Sequence, residues 1–218
     1  MKLLLVRNSA IAPEGAFGEW LAQQGHDLTV TTGEDLHESA MDAADAVILL
    51  GSAHGVYETH IPWIARQREL TAKRLAQRGP TIGICFGAQM MAAAAGGDSR
   101  RMPDGTFFRG WLGVERVADP VLAGPWARWH GDTITLPPNA ELLAEDSGTV
   151  QAFALPRAIA VQFHPEATPA IIESWAARPS TPASFDQARL AADGDRLFPA
   201  RAEARAALYD WLLRRALA

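Results

Sequence analysis

Short apolar runs separated by helical segments dominate the first half of the chain. Four of them lie at residues 3–6, 28–31, 46–50 and 81–85. Such runs, which lack an alternating polar face, are typical of strands buried in a parallel sheet. The segment at 62–78 has a proline at its start and Gly79 just past its end, which predicts a helix between the last two strands. Alternating strands and helices need crossover connections, so we expect a doubly wound α/β fold whose mostly parallel sheet is flanked by helices.

The second half of the chain has a different pattern. Shorter runs, at 111–117, 141–144, 150–154 and 159–163, are separated by glycine, proline and asparagine. This spacing favours short strands, some of them antiparallel. We therefore expect a small antiparallel region added to the main sheet.

The C-terminal part predicts a connection followed by a helix. Residues 176–199 are rich in Ala, Pro, Ser and Asp, which predicts a connecting segment. Beyond them, Leu208 and Leu212 recur with helical spacing, which predicts a C-terminal helix over 201–217. The chain has 218 residues, a mass of 23.5 kDa and 48% hydrophobic residues, which fits one large domain better than two small ones. We therefore expect residues 1–218 to form a single domain.

The net charge of -5 and the single cysteine restrict partners and location. A mildly acidic chain gains no counterion release from a phosphate backbone, so nucleic acid is a poor candidate partner, and acidic membranes are disfavoured for the same reason. No apolar stretch approaches the roughly 18 residues of a membrane span. The apolar run at the start of the chain is interrupted by Arg7 and Asn8, which is typical of a first strand and not of a signal peptide. Because Cys85 is alone, it forms no internal disulfide and no multi-cysteine metal site, so we expect a reducing, cytoplasmic location.

Cys85 lies where a predicted strand turns directly into a predicted helix, in the segment TIGICFGAQMMAAAA. Gly83 and Gly87 flank it on either side. This arrangement is typical of a nucleophile elbow, in which the backbone is cramped and larger flanking residues would collide with neighbouring chain. The helix start after Cys85 favours thiolate over thiol. An isolated cysteine in an apolar strand is usually a small buried hydrophobe, but the two glycines favour a nucleophile.

The segment VQFHPE, at the end of the run at 159–163, supplies a histidine and a glutamate. A cysteine hydrolase needs a base, and histidine suits proton transfer near neutrality when a third group orients it. Residues two apart in an extended chain point to the same side, so Glu166 reaches the ring of His164 if Pro165 keeps the segment extended. Alone, this pair fits a surface turn. Together with an elbow cysteine, it predicts a catalytic base and its orienting carboxylate.

These segments resemble those of the class I glutamine amidotransferases, most closely members similar to the amidotransferase domain of GMP synthase. GICFGAQ resembles the nucleophile segment of that family, and VQFHPE resembles its histidine and glutamate segment. Weaker similarities follow the same order, at ILLGSAHGVYE, GWLGVERV and WHGDTITLPPNAELLA. The resemblance is strong over positions 45–167. It implies a hydrolase that releases ammonia from the glutamine side-chain amide through a γ-glutamyl thioester.

The resemblance also implies a role for each matching residue. Cys85 would be the nucleophile, His164 the general base and then acid, and Glu166 the carboxylate that orients the histidine. The backbone N–H groups of Gly51 and Phe86 would form the oxyanion hole. No metal and no organic cofactor is implied. The residues implied to bind the substrate are Ser52, Gln89, Gly131 and Asp132.

Two departures from the family pattern leave the function open. The loop after Gly51 reads SAHG, where the family often has Pro or a further Gly, which implies a differently shaped pocket. The chain has neither a P-loop nor room for an acceptor domain, so an amidotransferase of this kind would deliver ammonia to a separate synthetase. The alternatives are a self-sufficient hydrolase of another γ-glutamyl compound and a non-catalytic binding or regulatory protein with the same fold. An intact Cys, His and Glu set argues against the last.

Overall fold

The computed structural model describes residues 1–218. Its strands are β1 (Lys2–Arg7), β2 (Asp27–Thr32), β3 (Ala46–Leu49), β4 (Thr81–Ile84), β5 (Asp98–Arg101), β6 (Phe108–Leu112), β7 (Arg116–Val117), β8 (Trp126–His130), β9 (Asp132–Thr135), β10 (Glu141–Asp146), β11 (Thr149–Leu155) and β12 (Ala158–Val161). Its helices are α1 (Gly15–Gln23), α2 (Glu38–Ala43), α3 (Pro62–Ala76), α4 (Phe86–Ala94), α5 (Pro169–Ala176), α6 (Gln187–Ala200) and α7 (Ala202–Leu217), with a 3-10 turn at Pro120–Leu122.

Eight of the strands form one sheet in the order β2-β1-β3-β4-β12-β11-β10-β7. The pairs from β2 to β12 in this order are parallel. Those from β12 to β7 are antiparallel. Because the order runs outward from β1 in both directions, the sheet is doubly wound, and its parallel pairs outnumber its antiparallel ones. The predicted fold class is therefore confirmed.

Apolar layers cover both faces of the parallel strands. Along β1, Leu3 and Leu5 pack in the layer that contains α1 and α7. The alternate residues, Leu4 and Val6, pack in the layer that contains α2, α3 and α4. All four side chains are at most 2% exposed. Burial on both faces explains why this strand is a continuous apolar run with no polar alternation.

Two small antiparallel pairs lie outside the main sheet, β5 with β9 and β6 with β8. The run predicted at 111–117 is not one strand. Its first part belongs to β6, which pairs with β8, and its last part to β7, which pairs with β10 in the main sheet. An apolar run cannot reveal this division, because the division depends on which distant segments lie alongside each half.

The stretch at 176–199 is not only a connection, because it contains most of α6. The carboxylate of Asp186 caps this helix by accepting a hydrogen bond from the N–H of Arg189 at 2.8 Å. Leu190 and Gly194 are its only buried residues. Gly194 and Pro199 lie inside the helix, and because both residue types are typical of turns and helix ends, the sequence prediction missed it.

The last helix, α7, lies where the sequence predicts one over 201–217. Leu208 and Leu212 are fully buried and share a core layer with Ile82 and Ile159 of the central strands. None of the helices is long and apolar enough to cross a membrane.

Candidate active site

Three neighbouring strands of the parallel sheet end side by side at its carboxyl edge. β4 is paired with β3 on one side and with β12 on the other. Cys85 directly follows β4, while Gly51 and His164 follow β3 and β12. Residues far apart in sequence are thus brought to one edge, where α/β folds commonly bind ligands.

Cys85 lies in a sharp turn between β4 and α4. Its backbone has φ 51° and ψ -107°, a combination that residues with a side chain rarely adopt. A Cβ on Gly83 would lie 2.7 Å from the carbonyl oxygen of Gly87, and one on Gly87 would lie 2.0 Å from that of Leu49. Both positions therefore require glycine, because the helix crosses the two strand ends at backbone contact distance.

The start of α4 provides unpaired N–H groups next to Cys85. The carbonyl oxygen of Cys85 accepts a hydrogen bond from the N–H of Gln89 at 3.0 Å, which begins the helical pattern. The N–H of Phe86, the first helical residue, has no acceptor one turn back. Because the Cys85 side chain is only 5% exposed, the helix dipole acts on the sulfur with little screening by water and favours a negative charge there.

His164 and Glu166 form a buried pair on the chain that leaves β12. Nδ1 of the ring lies 2.7 Å from Oε1 of the carboxylate, and both residues are at most 3% exposed. The N–H of His164 donates to the carbonyl oxygen of Ala127 at 2.8 Å. The Tyr209 hydroxyl donates to the carbonyl oxygen of Pro165 at 2.7 Å. These bonds hold the backbone on both sides of the ring, so its orientation is fixed.

The charge state of His164 follows from its neighbours. Burial alone would lower the pKa of the ring, but the Cys85 sulfur and the Glu166 carboxylate outweigh burial and raise the pKa of His164 to about 10. The ring is therefore protonated at neutral pH. Nε2 makes no aligned hydrogen bond within the chain. The imidazolium thus lies beside the Cys85 sulfur, and Nε2 remains available to a ligand.

Gly51 lies against the ring of His164. A Cβ at this position would lie 3.1 Å from Cε1 of His164 and 3.3 Å from Cβ of Ala12, so a larger residue would press on the ring. The N–H of Gly51 has no acceptor among the backbone hydrogen bonds of the turns and loops. Gly51 and Phe86 thus present free N–H groups at the same sheet edge as Cys85, and their role as an oxyanion hole stays a prediction.

A cavity of about 200 Å³ opens at this edge. Cys85 and His164 line it, whereas Glu166 lies behind the histidine and is 1% exposed. The volume is below the roughly 300–1,000 Å³ of pockets for drug-sized ligands, so the cavity suits a small ligand. Each of the four predicted substrate-binding residues is also part of the lining, namely Ser52, Gln89, Gly131 and Asp132.

These four residues differ in how they are held. Nε2 of Gln89 donates to Oε1 of Gln162 at 3.2 Å inside the protein. The Ser52 hydroxyl bonds weakly to the carbonyl oxygen of Asn8 at 3.4 Å. The carboxylate of Asp132 forms no ion pair within the chain, and burial raises its pKa. A Cβ on Gly131 would lie 2.7 Å from the ring of Phe107, so that ring would have to shift.

His130 also lines the cavity, and it is uncharged. Its Nδ1 lies 3.0 Å from the carbonyl oxygen of Asp132. Burial lowers the pKa of His130 to about 3, and the nearby charges of His164 and Arg128 act in the same direction. No group of three or more His, Cys, Asp or Glu side chains in the chain has the geometry to hold a metal ion.

Several lining residues were missed by the sequence interpretation. The most polar of them are Tyr57, Arg101 and Arg178, and the most apolar are Trp129 and Trp175. Trp175 packs against the His164 ring with a centroid distance of 4.7 Å. Tyr57 and Trp129 lie in the weaker similarities ILLGSAHGVYE and WHGDTITLPPNAELLA, but no role was inferred for them. The positions of Arg101 and Arg178 depend on the register of β5 and β9 and on the turn after α5, neither of which the sequence reveals.

The fold is a doubly wound α/β domain with Cys85, His164 and Glu166 at one sheet edge, and comparison with known families gives its class. The family model described as glutamine amidotransferase class-I matches residues 17–173. The chain belongs to the class I glutamine amidotransferase family.

The individual relatives agree with this family. A glutamine-hydrolysing GMP synthase of Thermomicrobium roseum is 39% identical over 128 residues, which cover 55% of this chain and 23% of that protein. One from Thermosynechococcus vestitus is 32% identical over 144 residues, which cover 62% of this chain and 25% of that protein. The chain thus spans about a quarter of the length of these relatives.

Solved structures share the whole fold. A glutamine amidotransferase from Thermotoga maritima superposes with a TM-score of 0.84 at 23% identity, covering 100% of this chain and 98% of that one. A glutamine amidotransferase from Methylobacillus flagellatus superposes with a TM-score of 0.85 at 21% identity, covering 98% and 94%. At these identities the likeness establishes the fold alone.

Proposed function

We propose that this protein is a cysteine hydrolase that releases ammonia from the γ-carboxamide of glutamine, with Cys85, His164 and Glu166 as its catalytic residues. The observation that carries the proposal is the buried His164 and Glu166 pair, 2.7 Å apart, at the same cavity as an elbow cysteine. A structural cysteine needs neither a strained backbone nor an imidazolium beside it. Such an arrangement is expected where a thiolate is used as a nucleophile.

The reaction follows from the charges of the pair. The Cys85 thiolate attacks the γ-carbonyl carbon, and the electron pair of the C=O bond moves to oxygen to give a tetrahedral oxyanion. The imidazolium of His164 donates its Nε2 proton to the amide nitrogen, the C–N bond breaks, and ammonia leaves. A γ-glutamyl thioester on Cys85 remains. The neutral His164 then takes a proton from water, the hydroxide attacks the thioester, and glutamate leaves with the thiolate restored.

The other predicted residues support this sequence of steps. The N–H groups of Gly51 and Phe86 are assigned to the oxyanion, because both lack acceptors and both lie at the strand ends beside the nucleophile. Glu166 accepts the hydrogen bond from Nδ1–H and stabilises the imidazolium. Ser52, Gln89, Gly131 and Asp132 are assigned to the substrate because they line the cavity.

We further propose that the ammonia goes to a separate synthetase and that the protein works in the cytoplasm. The similarity to glutamine-hydrolysing GMP synthases supports a role beside an ammonia-consuming enzyme. The lone free cysteine supports a reducing compartment. A subunit that serves a synthetase benefits from low activity until its partner docks, because ammonia released into water is lost.

A second candidate function is hydrolysis of another γ-glutamyl compound, and one feature of the cavity favours it. Trp175 packs against the ring of His164, which donates to the leaving nitrogen, and the indole N–H of Trp175 donates to the carbonyl oxygen of Ile11. The N–H of the cationic Arg178 donates to the carbonyl oxygen of Trp175, and Ile11, Trp175 and Arg178 all line the cavity. Arg178 has no ion-pair partner within the chain. Ammonia needs no such surroundings, whereas an amine that carries apolar atoms and a carboxylate would use them.

Turnover of two substrates by the purified chain separates the candidates. A synthetase subunit should hydrolyse L-glutamine slowly, with a kcat below roughly 10 per second, and should do no better with a γ-glutamyl dipeptide. A self-sufficient hydrolase should turn over the dipeptide briskly and glutamine poorly. The Cys85→Ala variant is the control for contaminating activity. Absence of turnover of either substrate, together with an unreactive Cys85, would point to a binding or regulatory protein.

A further inference from the structure

Arg101 and Asp132 are opposite charges placed side by side in the cavity. They face each other directly across the antiparallel pair of β5 and β9. Directly opposed residues in such a pair lie on the same face, with Cβ atoms roughly 4.5–5.5 Å apart. Both residues line the same cavity as Cys85. Strand register therefore fixes a cation and an anion next to each other, within one site.

Neither charge is satisfied by an ion pair within the chain. All the side-chain ion pairs closer than 4 Å join other residues. Tyr57 lies beside both: burial and the Asp132 charge raise the pKa of its hydroxyl, and Arg101 opposes them. Two other basic side chains of the lining are placed differently: His54 bonds to Glu58 at 3.2 Å, and Arg178 lies next to Trp175, to whose carbonyl oxygen its N–H donates.

A cation and an anion at fixed spacing complement a ligand that carries the two charges in reverse. The α-ammonium and α-carboxylate of a free amino acid are such a pair, and in glutamine two methylene groups separate them from the γ-carbonyl. Resting on the proposed function, we propose that Arg101 binds the α-carboxylate of the substrate while Asp132 binds its α-ammonium. Arg101 is then the specificity residue that restricts the site to compounds with a free α-amino acid end.

The alternative role for Arg101 is structural, as one of several exposed arginines. β5 offers a matched control, because Arg100 is also exposed, lies on the opposite face of the strand and is absent from the cavity lining. If Arg101 is only a surface arginine in contact with water, its replacement should affect ligand binding no more than replacement of Arg100 does. If Arg101 binds the ligand, its replacement should weaken binding.

Binding measured in a Cys85→Ala background tests this inference independently of turnover. Calorimetry of L-glutamine binding should show the Kd rising by roughly tenfold or more for Arg101→Ala, since hydrogen bonds between charged groups are among the strongest hydrogen bonds in proteins. For Arg100→Ala the Kd should change by less than about twofold. Glutaramate, which lacks the α-ammonium, should be weakened by Arg101→Ala and not by Asp132→Asn. For 4-aminobutanamide, which lacks the α-carboxylate, the order should be reversed.

Different results would contradict the binding role of Arg101 and the proposed hydrolysis. An unchanged Kd for L-glutamine in Arg101→Ala would overturn the inference that Arg101 binds the α-carboxylate. An equal loss of affinity for glutaramate and for 4-aminobutanamide in Arg101→Ala would also overturn it. A failure of the Cys85→Ala chain to bind L-glutamine would do the same. If Arg101-dependent binding is found while the unaltered chain releases no ammonia, the recognition site stands and the proposed hydrolysis fails.

Discussion

Nδ1 of His164 lies 2.7 Å from Oε1 of Glu166, with a single proline between the two residues. This contact commits one ring nitrogen to the carboxylate and leaves Nε2 as the only position for proton transfer. Since the pKa of the ring is raised to about 10, that proton is present at neutral pH. We therefore expect the two residues to have unequal parts in the proposed reaction.

Substitutions should reveal this inequality. Cys85→Ala and His164→Ala each remove a bond-making or proton-transferring group, so kcat for glutamine hydrolysis should fall by several orders of magnitude. Glu166→Gln removes only orientation and charge stabilisation, and a smaller loss, on the order of 10²–10⁴-fold, is expected. Steady-state ammonia release is the measurement. Unaltered kinetics in Glu166→Gln would remove Glu166 from the active site.

Cys85 should react as a thiolate in the folded protein. Iodoacetamide is expected to alkylate it at neutral pH, and excess L-glutamine should slow the reaction by occupying the cavity. His164→Ala should react at least several-fold more slowly, because the imidazolium that stabilises the thiolate is lost. Mass spectrometry of the Cys85 peptide follows the reaction. Alkylation only after denaturation would mean that the cysteine is a buried structural residue.

The sequence was sufficient to predict those parts of the fold and site that depend on local patterns. The apolar runs predict the central strands because both faces of those strands are buried, as Leu3 and Leu4 of β1 illustrate. The elbow at Cys85 is recognisable because close packing there excludes any residue but glycine at position 87. The histidine segment is recognisable because side chains two residues apart on an extended chain point to the same side.

Features that depend on distant pairings were not predictable. Arg101 faces the cavity because β5 aligns with β9 at one particular register, and nothing near Arg101 in the sequence encodes that alignment. The helix α6 was missed because Gly194 and Pro199 lie inside it, and both residue types are typical of turns and helix ends. Its capping residue, Asp186, is common in loops as well.

The elbow glycine should tolerate no enlargement. Gly87→Ala would place a Cβ 2.0 Å from the carbonyl oxygen of Leu49, so backbone must move, and a loss of roughly 3 kcal/mol or more in the free energy of unfolding is expected. Gly113→Ala is the control, since its Cβ would meet nothing closer than 3.7 Å. That variant should remain within about 1 kcal/mol of the unaltered chain. Urea denaturation compares them, and equal stability of the two variants would contradict the close packing at the elbow.

His130 should make the fold sensitive to acid. Its pKa is lowered to about 3 in the folded chain, against roughly 6.5 when unfolded. Between these values the unfolded chain binds the proton and the folded chain does not, so stability is lost as the pH falls, by up to roughly 1.4 kcal/mol per pH unit. His130→Gln should flatten this slope between about pH 6 and 4, as measured by urea denaturation at each pH. Identical slopes in both proteins would show that His130 is not a buried neutral group.

Acid quenching during turnover tests most directly whether Cys85 carries out the hydrolysis. Mixing the chain with L-glutamine, quenching within the first turnovers and digesting should yield a Cys85 peptide that carries one γ-glutamyl group as a thioester. Hydroxylamine should remove the group, and Glu166→Gln should show it as well, at a lower rate of formation. The predicted result is a thioester at Cys85 that forms as fast as ammonia is released. Release of ammonia with no acyl group on Cys85, or undiminished release by Cys85→Ala, would contradict the proposed hydrolysis.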